Sequence, residues 1–205
     1  RDAYGISETA VGWLIGVGFI SAFFSQALIA PIADRGHART VIMAGVAINI
    51  VGLLLMAFGE TLLVLMTGRI ISGIGIGGST PAIRRVVILT DNENLGANLG
   101  RLLSADVFGF AMGPAISAVL VGPYGLAAPF LVVSAATAIL LAISRTVPVE
   151  ETATTTDKPQ RLAVDLLTNR VVAGAVVLAA GVFLMIGAFD APVSYTHLTL
   201  PTIRL

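Results

Sequence analysis

Six stretches of about twenty predominantly apolar residues, 11–32, 40–58, 62–83, 102–122, 126–144 and 171–189, follow one another along a chain of 205 residues. An α-helix rises about 1.5 Å per residue, so ~20 apolar residues cross a hydrocarbon core roughly 30 Å thick. Charged residues make up 12% of the chain, about half of the ~25% with which a soluble domain coats itself. The mean hydropathy is +0.94. A soluble enzyme and a disordered chain are both excluded on these grounds. The reading is an all-α, polytopic membrane protein with six predicted transmembrane helices.

Charge narrows the function classes further. Lys plus Arg and Asp plus Glu number 12 each, for a net charge of zero, so no basic excess points to nucleic acid. There is no cysteine, and the two histidines, His37 and His197, stand too far apart to suggest a metal cluster. No Ser/His/Asp set, HExxH run or phosphate loop occurs. The glycines of Gly73-Ile74-Gly75-Ile76-Gly77-Gly78 lack the GxGxxG order and sit inside an apolar span rather than after a strand. The chain is not read as an enzyme.

The placement of positive charge gives the spans an orientation. Arg35, Arg39, Arg84, Arg85, Arg101, Arg145, Lys158, Arg161 and Arg170 fall on one side of the implied membrane, and Arg1 alone on the other. That asymmetry marks the first side as cytoplasmic. Core helices of a large soluble protein would show no such bias. Four connections are short. The fifth, 146–170, is long and polar, and reads as a cytoplasmic linker.

Four places carry residues whose type needs a reason. In the first cytoplasmic connection, Asp34 lies at the C-terminal end of one span and Arg39 at the N-terminal start of the next. Each charge opposes its own helix dipole. Mutual pairing or docking against another helix end would relieve both; a solvated turn is the other reading. Arg69 lies about seven residues, roughly 10 Å, inside the third span. A buried arginine costs at least ~2.5–3.5 kcal/mol on insertion scales, so it should face a cavity, a bundle interior or an anionic partner, unless it snorkels to the interface. Ser72, Gly73 and Ile76 share its face. Asp106 lies about 7 Å inside the fourth span, either in a functional role or pairing with Arg101. It is separated from Arg69 by roughly 13 Å along the membrane normal, too far for direct pairing. Gly113-Pro114 in mid-span loosens the helical ladder.

Glycine pairs at four-residue spacing, Gly12/Gly16, Gly73/Gly77 and Gly109/Gly113, are candidate notches for helix packing. Gln26 and Asn49 are interhelix hydrogen-bond or cavity-lining candidates. Trp13 reads as an interfacial anchor, and Asp190 as an interfacial residue closing the last span.

Three of these segments together resemble the major facilitator superfamily. Asp34-Arg35 with Arg39 is similar to that family's loop signature G-x-x-x-D-R-x-G-R-R, with Ala30, His37 and Ala38 replacing three of its positions. Arg69-x-x-Ser72-Gly73-x-Gly75 resembles the helix 4 signature R-x-x-Q-G-x-G, with Ser72 in place of the glutamine. Gly109-x-x-x-Gly113-Pro114-x-x-Ser117-Ala118 resembles the helix 5 signature G-x-x-x-G-P-x-x-G-G.

The resemblance covers residues 1 to about 192 and makes the six spans helices 2–7 of a twelve-helix, two-bundle fold. It implies an incomplete first bundle over 1–145 lacking helix 1, the linker over 146–170, and the first helix of the second bundle over 171–192. The segment 193–202 looks like a translated sequencing adapter, so 193–205 is not read as native.

The helix 5 signature implies the drug–proton antiporter branch. Asp34, Arg35 and Arg39 would then belong to a cytoplasmic gate. Arg69 and Asp106 would serve proton coupling or the substrate pathway. Gly73, Gly77, Gly109, Gly113 and Pro114 would form packing and hinge surfaces. The implied partners are a small-molecule substrate, protons and the plasma-membrane bilayer. No cofactor is implied, with a proton gradient as the energy source. A solute importer or uniporter of the same family is the alternative, and a non-transporting sensor or scaffold the second alternative.

Overall fold

A computed structural model describes residues 8–91 and 93–146, together with four helical positions at 170, 173, 174 and 177. The chain divides into two units, 1–159 and 160–205, and the first holds every element that follows. The expected linker beyond 146, nearly all of the sixth span, Asp190 and the tail 193–205 lie outside the described residues.

Five α-helices run through the described residues of the first unit: α1 (Glu8–Ile32), α2 (Ala38–Phe58), α3 (Leu62–Thr90), α4 (Leu95–Tyr124) and α5 (Ala128–Ser144). The stretches Thr9–Ile29, Ala33–Phe58, Leu62–Thr90 and Leu95–Tyr124 are long and apolar enough to cross a membrane, while Ala128–Ser144 is apolar but shorter. The described residues thus form a multi-pass, all-α bundle with four helices of membrane length.

Local chemistry sets the boundaries. Thr61 caps α3, its hydroxyl accepting the Val64 amide at 3.4 Å. Gly125 ends α4 at φ 82°, and its amide donates to the Val121 carbonyl at 2.9 Å. Both turns are ones that their residue types favour.

Two boundaries differ most from the hydropathy pattern, the others by three residues or fewer. The third span was expected to end at Ile83 and the fourth to begin at Leu102. Helix α3 instead continues to Thr90 and α4 already begins at Leu95. Hydropathy drops where the arginines start, but the backbone ladder does not need apolar side chains, and Arg, Leu and Ala are good helix formers. The connection therefore shrinks to four residues, and Arg84, Arg85 and Arg101 stand on helices.

Packing follows the rule for lipid rather than for water. The buried apolar residues are small or few, Ala33, Ala38, Val41, Ala57, Leu65 and Ala82, joined by Ser25, Ser72, Ser79 and Ser134. The large ones, among them Phe19, Phe23, Phe24, Phe58 and Phe108, point outward. Lipid offers no hydrophobic drive for helix association, so close backbone approach through small residues holds the bundle together.

Helix α3 is the axis. Both α1 and α2 pack along it while scarcely touching each other, α5 lies on α2, and α4 meets α3 and α5 over short stretches. No residue of α4 is buried.

Candidate functional site

The seams on α3 explain where the candidate residues fall. Towards α2, α3 presents Gly68, Ser72, Gly75 and Ser79 against Gly45, Asn49 and Gly52. A Cβ at Gly52 would stand 2.5 Å from the Ser72 amide nitrogen, and one at Gly45 would stand 2.7 Å from the Gly75 carbonyl oxygen. Towards α1, Gly73 and Gly77 close on the backbone of Gly18 and Ala22. Ser25 adds a bond across this seam, its hydroxyl donating to the Ile74 carbonyl at 2.6 Å. Ser72, standing where the family signature has glutamine, donates to the Asn49 Oδ1 at 2.6 Å. Asn49 is thus an interhelix hydrogen-bond partner. Gln26 and Trp13 are exposed.

Of the three glycine notches named from the sequence, only Gly73/Gly77 is engaged among the described residues. Nothing lies within 4 Å of a Cβ built at Gly12, Gly16, Gly109 or Gly113. Helix α4 runs on through Pro114, whose missing N–H leaves the Phe110 carbonyl without its helical donor.

Arg69 stands between the two seams. Its face-mates separate accordingly: Gly73 packs on α1, Ser72 bonds to α2, and Ile76 is 47% exposed. The Arg69 side chain lies across Gly18 of α1. It is partly buried, and no hydrogen bond or ion pair among the described residues engages its guanidinium. A cationic donor group held in an apolar span without a partner can receive an anion or share a proton-linked carboxylate.

The arginine-rich helix ends meet at one end of the bundle. Between α1 and α2 the chain reverses through Ala33–His37, with Gly36 at φ 89°, a conformation that glycine adopts without a Cβ penalty. The family signature has its glycine one position later, where this chain has His37, so the turn residue is present but displaced. Arg85 of α3 clamps this turn. Its Nε lies 2.9 Å from the Asp34 carboxylate, and a terminal nitrogen donates to the Asp34 carbonyl at 3.3 Å. Arg39 donates to the Arg145 carbonyl at the end of α5, at 2.6 Å, which satisfies a terminal helix acceptor. Asp34 and Arg39 therefore each dock on a different helix rather than on one another. Arg35 is exposed.

Asp106 pairs with Arg84 of α3 at 3.1 Å, both side chains half exposed. Arg101 donates instead to Asn98 Oδ1 at 3.1 Å. In the connection itself, the side-chain amide and the backbone N–H of Asn94, with the side chain of Asn98, hold the Asp91 carboxyl below the usual carboxylate range.

At the opposite end, residues of all five α-helices line a half-open cavity of about 500 Å³. Leu14, Met56, Ile116 and Phe130 contribute to its walls, Gly113 lies on one side, and Ser117 is the one polar side chain among the described lining residues. Such a lining suits apolar groups. Among the described residues no cluster of three metal-binding side chains occurs.

Sequence reasoning missed Gly18, Gly36, Gly45, Gly52 and Arg85. The signal for the seams was present: Gly18, Ser21, Ala22 and Ser25 on α1, and Gly45, Asn49 and Gly52 on α2, recur at the three- and four-residue steps of one helix face. For Arg85 no local signal exists, because its partner is 51 residues away.

A family model described as Major Facilitator Superfamily matches residues 1–202. Among curated proteins, "Probable metabolite transport protein CsbC" of Bacillus subtilis (strain 168) is 33% identical over 72 residues, which cover 35% of this chain and span 16% of that relative's length.

Proposed function

The chain belongs to the Major Facilitator Superfamily, and from that premise we propose that it forms part of a secondary transporter that exports small drug-like or amphipathic molecules in exchange for protons. The observation that carries this reading is Arg69, partly buried in a membrane helix without a partner among the described residues. Retaining such a charge in a span is costly, and in this reading the cost is met by a role in coupling or in the substrate pathway. The helix 5 pattern around Gly113-Pro114 supports the antiporter branch, with α4 as hinge. The open face of α4 and the apolar cavity beside Gly113 suit that role.

Asp34, Arg35 and Arg39 are proposed as elements of a gate on the cytoplasmic side, working through the contacts that Asp34 makes with Arg85 and Arg39 with the end of α5. The two bundles would rock about a central site in alternating access, with the region beyond residue 146 as the cytoplasmic linker and the plasma membrane as the location.

A solute importer or uniporter is the second reading, favoured by the printed name of the relative, a metabolite transport protein. Proteoliposomes of the full-length protein separate the two. Solute flux that drives proton movement in the opposite direction supports the exporter; flux with no proton movement supports the uniporter. Absence of flux with any solute panel would leave the sensor or scaffold. Arg69→Ala is expected to abolish coupled flux and leave insertion intact. Wild-type transport in that variant would remove Arg69 from the mechanism.

A further inference from the structure

Eight glycines of the α1–α3 and α2–α3 seams stand close to a neighbouring helix among the described residues; six of them could gain a Cβ only by moving backbone, and Gly78 would meet the side chains of Ile29 and Ser25. A Cβ at Gly45, Gly52, Gly68, Gly73, Gly75 or Gly77 would meet main-chain atoms of the facing helix. Gly18 differs. The three atoms nearest to a Cβ there all belong to one side chain: Arg69 Cγ at 2.9 Å, Nε at 2.9 Å and Cδ at 3.2 Å. Gly18 is itself buried, and its carbonyl accepts the Ser21 hydroxyl at 2.9 Å. The space that its missing side chain leaves is therefore filled by the stem of the arginine.

We propose that Gly18 is a positioning residue for Arg69: the bare backbone of α1 at this point lets the arginine stem lie flat and fixes where its guanidinium stands. This deepens the transport reading above and rests on it for the functional consequence. Non-bonded heavy atoms settle at about 3.5–4.0 Å. A methyl at position 18 would thus force Cγ and Nε back by roughly 0.6–1 Å, and the guanidinium lies further out on the same lever. The obstructing atoms belong to a side chain rather than to backbone, so turning the Arg69 stem about its χ angles relieves the contact at less cost than parting the helices. Gly18→Ala should therefore keep the bundle and misplace the charge.

The test uses the full-length protein in proteoliposomes, with Gly18→Ala, Arg69→Ala and the double variant. Beside membrane yield and thermal midpoint, two readouts are taken: kcat against KM for coupled flux, and phenylglyoxal modification of Arg69 followed by peptide mass spectrometry. Misplacement of a reacting group by about 1 Å can cost up to ~100-fold in rate. Gly18→Ala is expected to lower kcat by ~10- to 100-fold with KM little changed. The modification rate at Arg69 should change severalfold while that at Arg35 stays constant. In the Arg69→Ala background, which carries no coupled flux, the same substitution should leave membrane yield and thermal midpoint unchanged.

Unchanged kcat and unchanged Arg69 modification in Gly18→Ala would overturn the proposal, and so would a fall in thermal midpoint on adding Gly18→Ala to Arg69→Ala. If Gly18→Ala fails to reach the membrane, the double variant decides: recovery of insertion supports the proposal, and continued failure overturns it. If Arg69→Ala transports normally, the coupling role of Arg69 fails, while the modification rate still decides whether Gly18 sets its position.

Discussion

Arg85 holds Asp34 twice, by its carboxylate at 2.9 Å and by its backbone carbonyl at 3.3 Å. The arginine side chain is 12% exposed and the aspartate 62%, so the cation is the more buried member of the pair. The reversal at Gly36 is thereby fixed to the end of α3, across 51 residues of sequence.

Loss of the Asp34 carboxylate leaves that partly buried guanidinium with one acceptor fewer. Asp34→Ala is expected to destabilise the bundle by about 1.5–3 kcal/mol, the range for hydrogen bonds to charged groups. Arg35→Ala, one residue along and exposed, should stay within about 0.5 kcal/mol. Unfolding in detergent measures both, and equal losses would contradict the assignment.

Glycine substitutions should divide sharply. Gly52→Ala places a methyl 2.5 Å from the Ser72 nitrogen and is expected to cost about 1–3 kcal/mol through overpacking. Gly109→Ala meets nothing within 4 Å and should be neutral or stabilising by ~0.4–1 kcal/mol, since alanine has less backbone freedom to lose. A comparison of thermal midpoints with membrane yield checks the sign of each.

The hydrogen bond from Ser72 to Asn49 crosses the α2–α3 seam inside the bilayer. Interhelix bonds in membranes average ~0.6 kcal/mol with a maximum of ~1.7. Ser72→Ala and Asn49→Leu should show a coupling energy in that range in a double-mutant cycle. Additivity of the two would show that the bond contributes nothing.

The Arg84–Asp106 pair is half exposed on both sides, and a cycle on it should give about 0.2–1 kcal/mol, shrinking in high salt. Substitution of both by apolar residues should leave stability close to wild type.

Asp91 gives the acid side of the stability profile. Hydrogen bonds from the Asn94 side chain and backbone and from Asn98 lower its pKa in the folded state. Its contribution is complete above the ordinary aspartate value of about 3.9 and is lost as pH falls through the lower folded value. Asp91→Ala should therefore be less stable than wild type near neutrality, with the gap closing only in strong acid. A gap that stays constant from pH 7 down to 2 would exclude this origin.

The helices and the gathering of arginines at one end were legible in the sequence because both are local properties, hydropathy and charge, read residue by residue. Helix length was not: hydropathy reports where side chains suit lipid, and α3 and α4 continue past that point on backbone bonds alone. The charge partners were hidden for another reason. Asp106 has Arg101 five residues away, yet it bonds to Arg84 on the neighbouring helix, a choice made by how α3 and α4 lie together. Gly36 shows the reverse case. A glycine was in plain view, but a family pattern that puts it one residue later drew attention to His37 instead.

The inverted core also changes which letters of this sequence are replaceable. In a water-soluble domain, drift is tolerated at small surface positions and purged at large interior ones. Here Phe19, Phe23 and Phe24 face outward from the described bundle, where another apolar residue meets no facing backbone. Gly52, Gly75 and Gly77 can gain a side chain only by displacing the backbone of the facing helix. Variation among descendants of this sequence should therefore collect at its bulkiest residues and spare its smallest.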